Sequence, residues 1–126
     1  MALCATLLLM AGAVACWAQS FAMQDLRVDG KVITVIPADF NRDRRSDLLV
    51  ISKRGTAPNE TRWASVFWQR ERGRFNSRPD LVWEMDPEAT VIDVGPLAPD
   101  PDGHAIVYLT GAEVRYYRIK EGERPS

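Results

Sequence analysis

From residue 31 onward, short apolar runs alternate with breaks rich in Gly, Pro, Asn and Asp. Each run is about as long as a strand, and β-branched and aromatic residues are frequent in them. The pattern predicts seven strands, at 31–37, 47–52, 62–69, 81–84, 89–94, 105–109 and 114–119. No stretch after residue 25 carries a 3.6-residue apolar period, so no helix is predicted there. The expected class is all-β, built from antiparallel sheets. Thr110-Gly111-Ala112-Glu113 reads as a tight hairpin between the last two runs, whereas 53–62 forms a longer connection.

The segment joining the first two runs carries the densest chemistry. Residues 39–50 read Asp-Phe-Asn-Arg-Asp-Arg-Arg-Ser-Asp-Leu-Leu-Val. Oxygen-bearing side chains stand at Asp39, Asn41, Asp43 and Asp47, and alternate positions of a tight loop point toward one centre. A hard cation such as calcium takes several oxygens at roughly 2.3–2.6 Å. Asp39, Asn41, Asp43 and Asp47, with the Arg45 carbonyl, are the candidate ligands. The same residues permit a second reading. The acids pair with Arg42, Arg44 and Arg45 in a turn held by Asx hydrogen bonds, without metal. Three arginines lower the negative potential that attracts a dication.

This stretch resembles the FG-GAP/VCBS repeat of integrin-like β-propellers, whose signature is close to D-F-N-G-D-G-x-x-D-[LI]-x-V. Asp39, Phe40, Asn41, Asp43, Asp47, Leu48 and Val50 match it. Val66-Phe67-Trp68 followed by Gly73-Arg74-Phe75 is similar to the strand and hairpin that continue the repeat. Arg42 and Arg44 stand where the family commonly has glycine. The resemblance implies calcium in the loop, a propeller blade, and an extracellular role in adhesion, ligand binding or scaffolding without catalysis.

A propeller repeats, and a shift of 57 residues gives a second, degenerate copy. It sets Asp47-Leu48-Leu49-Val50 on His104-Ala105-Ile106-Val107. The loop 39–46 then falls on 96–103, and Phe40 falls on Leu97 as an apolar plug. Asp39, Asn41 and Asp47 fall on Pro96, Ala98 and His104, which are not a calcium set. The expectation is a partial β-propeller of about two blade-like units over 31–119. Propellers use ~4–8 blades. The chain is therefore read as a fragment, as a piece completed by further blades or another copy, or as a small two-sheet domain.

The first 18 residues contain no charge, and Ala2–Ala15 is apolar. Small residues at Ala13-Val14-Ala15 and Cys16-Trp17-Ala18 suit cleavage. The expected division is a signal peptide at 1–18, a linker at 19–30, the repeat region at 31–119 and a tail at 120–126. Export places the protein outside the cytoplasmic membrane, secreted, periplasmic or at the cell surface, with no membrane span in the mature form. Lipidation at Cys16 is a minor alternative. Cys4 and Cys16 both precede a cut after Ala18, which leaves no disulfide to staple the fold.

Net charge is −1, so no global polyanion signal exists. Locally, residues 42–78 carry ten basic and four acidic side chains, and 79–103 carry seven acidic and no basic ones. This implies either neighbouring units of opposite charge or a basic face for an anionic glycan, with Trp63, Trp68 and Phe75 interleaved. Nucleic acid is not an expected partner; an extracellular protein or glycan is. His104, the single histidine, lacks partners for a zinc site or a triad and reads as a loop residue. Asp100 and Asp102 read as solvated acids in a Pro-rich loop. Asn59-Glu60-Thr61 is a formal glycosylation acceptor. The rivals to a scaffold are a non-catalytic piece of a secreted polysaccharide-degrading enzyme and an anionic-glycan binding module.

Overall fold

The computed structural model describes residues 22–97 and 100–119. The predicted signal segment and tail lie outside them. The described residues form two antiparallel sheets. The first holds β1 (Lys31–Ala38), β2 (Asp47–Arg54), β3 (Thr61–Phe67) and β4 (Leu81–Glu84), in that order. The second holds β5 (Val91–Leu97), β6 (Asp100–Leu109) and β7 (Val114–Arg118), also in order. Every paired strand is thus a sequence neighbour. Among the described residues, the one helical element is a 3-10 turn at Glu71–Gly73. No helix among the described residues is long and apolar enough to cross a membrane.

Alternation along the strands builds one core between the sheets. Leu49, Ile51, Ala64 and Val66 of the first sheet are buried with Ile106 and Tyr108 of the second, and Ile119 closes the end. Ile36, Leu81, Trp83, Ile92, Val94 and Tyr117 flank them. Each aliphatic side chain so buried contributes about 1.5–3 kcal/mol. The other face of the first sheet is also buried at Val50, Ser52, Ser65 and Phe67. Residues 22–30 are tied to that side: Ser52 Oγ donates to Asp29 O at 3.0 Å, and Arg27 N donates to Ser77 O at 2.8 Å. The outer face of the second sheet stays open, with Val114 68% and Tyr116 59% exposed.

β2 and β6 are the second strands of their sheets, as the repeat reading requires. The ungapped shift does not survive, however. Ile36 pairs with Leu49 and Val94 with Ile106, so the first strands are offset by 58 residues and the second strands by 57. The described residues of the proposed loop at 96–103 are strand instead, and Ala98 and Pro99 lie outside the described residues. β5 runs to Leu97 and β6 starts at Asp100, so Asp100 and Asp102 lie in a strand. Leu97 is no plug either, because it lines a surface groove with Val107 and Tyr116 while Phe40 is 2% exposed. Without the side chains that fold residues 39–46 into a loop, the strands continue. Pro96 is tolerated because β5 is an edge strand, where a missing N–H faces no partner.

Two tyrosines on β6 and β7 pack together at the core. Tyr108 Oη donates to Tyr117 Oη at 2.8 Å, and their rings stack 5.1 Å apart. Burial, followed by that hydrogen bond, pushes the Tyr117 phenol up to about 12. The folded protein therefore holds this proton more tightly than the unfolded chain, whose phenol ionises at about 10. Its contribution is intact below pH 10 and is lost as pH rises toward 12. Denaturant titrations across that window should show stability falling, and Tyr117→Phe should flatten the slope. An unchanged slope would contradict the assignment.

Candidate metal centre in the loop between β1 and β2

Residues 39–46 turn the chain from β1 into β2 through side-chain acceptors rather than backbone pairing. Asp39 Oδ1 accepts from Arg42 N at 2.7 Å and from Asp43 N at 3.2 Å, and Asp39 Oδ2 accepts from Arg44 N at 2.8 Å. Asn41 Oδ1 accepts from Asp43 N at 3.2 Å, and its Nδ2 donates to Asp43 Oδ2 at 3.2 Å. Asp43 Oδ1 accepts from Arg45 N at 2.8 Å, while Arg45 Nε donates to Asp43 Oδ2 at 2.9 Å. Asp39, Asn41 and Asp43 are thereby drawn together around one amide. Their oxygens keep lone pairs beyond those bonds.

Asp47 is used differently. It is fully buried; Oδ2 accepts from Phe40 N at 3.1 Å and Oδ1 from Gln69 N at 2.8 Å. One carboxylate thus ties the acidic loop to the end of β3. Burial pushes its pKa up, two backbone N–H bonds oppose that, and the charges of Asp43 and Asp39 add to the rise. For Asp43, burial also pushes upward. The bonds from Arg45 and Asn41 outweigh it and bring the carboxyl below its ordinary value.

The donor set is chemically that of a hard cation, with Asp39, Asn41 and Asp43 in one loop. Among the described residues, no three of His, Cys, Asp or Glu are grouped at metal-holding distance. A cation here would need Asn41, a backbone carbonyl and water as well. The Asp–Arg turn foreseen from the sequence is present in part, as the Asp43–Arg45 ion pair at 2.9 Å.

Arg42 and Arg44 adopt left-handed backbone, with φ of 66° and 65°. A non-glycine residue there costs roughly 1–2 kcal/mol. Asp39 offsets this by accepting from both amides. Arg44→Gly should remove that strain at a chain-entropy cost of about 0.4–1 kcal/mol, leaving a net gain on the order of 0.5–1 kcal/mol. Urea unfolding would read it as a higher midpoint at unchanged slope; a lower midpoint would give the arginine side chain a stabilising role.

Two participants escaped the sequence reading. Gln69 enters through its amide alone, which no side-chain pattern signals. His104 lies in β6, not in a loop. Its N–H donates to Asp39 O at 3.2 Å, and its Nδ1 sits 3.1 Å from the same oxygen, where the Nδ1–H tautomer donates. The histidine thus braces the acidic loop from the second sheet. No protein family, curated protein or solved structure matches this chain.

Proposed function

We propose that this chain is an exported, non-catalytic repeat protein of the FG-GAP/VCBS β-propeller type. Its 39–47 loop takes calcium, and its role outside the cell is ligand binding, adhesion or scaffolding. The observation that carries the reading is the left-handed backbone at Arg42 and Arg44. Both positions are those where the family signature has glycine, the residue that adopts left-handed backbone most readily, which supports the reading although the residues depart from the signature. The equivalent places of β2 and β6 in their sheets add support.

In this reading Asp39, Asn41 and Asp43 supply side-chain oxygens, Arg45 its carbonyl, and Asp47 its remaining lone pairs. The cation supplies charge that offsets the repulsion among Asp39, Asp43 and Asp47. Phe40, packed in the core between Asp39 and Asn41, keeps the ligand side and the apolar side of the loop apart.

Thermal melts in calcium and in chelator test this for the wild type and for Asp43→Ala. Calcium at 100 times its dissociation constant should add roughly 2.7 kcal/mol. For a domain of this size that is a rise of roughly 10–20 °C in the melting temperature. Asp43→Ala should lose the difference. Identical wild-type melts would leave the Asp–Arg turn as the account of these residues.

A further inference from the structure

Beside the acidic loop lies a cavity of about 460 Å³ lined by Arg45, Arg70, Glu71, Arg72 and Arg74. Its far wall is the turn Arg70-Glu71-Arg72-Gly73-Arg74, closed by a bond from Arg70 N to Arg74 O and one from Arg74 N to Glu71 O. Left-handed φ at Arg72 (59°) and Gly73 (72°) tightens the turn. Two carboxylates fix it in place. Asp80 accepts from Trp68 N, Arg70 Nη2 and Asn76 Nδ2, each at 2.8 Å. Asp47 holds Gln69 N on one side and the acidic loop on the other. The two walls are therefore held relative to each other by a buried group.

The charges in this cavity are unequal in use. Arg45 is engaged by Asp43 and Arg70 by Asp80. Among the described residues, the side chains of Arg72 and Arg74 have no hydrogen-bond or ion-pair partner. Two unengaged guanidinium groups beside two oriented ones make a concave donor surface for oxyanions, and arginine forks match carboxylate and sulfate geometry. No aromatic side chain lines it. Trp68 is buried, and Trp63 is covered by Arg54 at 4.0 Å. Single-stranded nucleic acid binds by stacking bases on exposed aromatics, and this cavity offers none.

We propose that this arginine cavity binds the charged groups of an acidic polysaccharide, carboxylate or sulfate. The inference names the ligand class for the binding role above and depends on that role, but not on calcium. Binding of purified protein to dextran sulfate, polygalacturonate, inorganic sulfate and a single-stranded oligonucleotide tests it, each in calcium and in chelator. Arg72→Asn with Arg74→Ala is the test variant, since asparagine tolerates the left-handed turn. Arg27→Ala with Arg78→Ala removes the same charge elsewhere.

The first pair should weaken binding of one of the two polysaccharides by about tenfold or more, and the second pair far less. Melting temperatures of both variants should equal the wild type. Equal losses from the two pairs, no polysaccharide binding at low salt, or tighter binding of the oligonucleotide would each overturn the proposal. So would full competition by inorganic sulfate at matched charge, which would make the site one for a free anion. Polysaccharide binding that persists in chelator while calcium leaves the melt unchanged separates failure of the metal reading from failure of this one.

Discussion

Asp47→Ala should destabilise the protein by about 3 kcal/mol, because it leaves a buried amide, Phe40 N, and a half-buried one, Gln69 N, without acceptors at ~1–3 kcal/mol each. The loss is larger than that of an exposed salt bridge, where the median effect is ~0–1 kcal/mol. Asp47→Asn keeps one acceptor oxygen and turns an amide donor toward the other N–H, so it should recover only part. Urea unfolding of the three proteins measures this. A cost below about 0.5 kcal/mol for Asp47→Ala would show that water or a rearranged loop replaces the carboxylate. The same substitution should loosen the end of β3, and the arginine turn that follows it, from the acidic loop, because it removes the bond to Gln69 N.

Ile106→Ala should cost about 3 kcal/mol, within the ~2–5 kcal/mol range for truncating a buried isoleucine. The informative part is where the loss is felt. Ile106 belongs to the second sheet, yet it packs in a core shared with Leu49, Ile51 and Trp83 of the first. Trp63, Trp68 and Trp83 all lie in the first sheet or at its strand end. The fourth tryptophan, Trp17, lies outside the described residues; with Trp17 replaced by Phe in every protein compared, tryptophan fluorescence reports on the sheet that does not carry the substitution. A shared core requires the fluorescence midpoint to fall along with the tyrosine and far-ultraviolet signals. A fluorescence midpoint that stays put would mean that the sheets unfold as separate units.

The strands were legible because each is a short apolar run closed by turn residues, and all seven were foreseen. Their ends were less so, for identifiable reasons. β3 stops at Phe67 rather than residue 69 because side chains capture the next two amides: Asp80 takes Trp68 N and Asp47 takes Gln69 N. β5 and β6 extend into a stretch that Gly95, Pro96, Pro101 and Gly103 mark as loop, since local breaker residues reveal nothing of edge position. The acidic loop was legible as a cluster. The division of labour within it was not, because Asp47 and Asp39 look alike until β3 brings Gln69 beside one of them.

The neighbour-only strand order has a consequence for synthesis on the ribosome. All four strands of the first sheet are complete once Glu84 has emerged, since none waits for a later segment. Its inner face still lacks the cover supplied by Ile106 and Tyr108. At roughly 5–20 residues per second β6, which carries both of these residues, follows after about 1–5 s. During that interval Leu49, Ile51, Ala64 and Val66 form a bare apolar surface on a nascent chain. Retarding translation between residues 85 and 109 should lengthen this exposure and lower the yield of native protein, without any change in the stability of the finished fold.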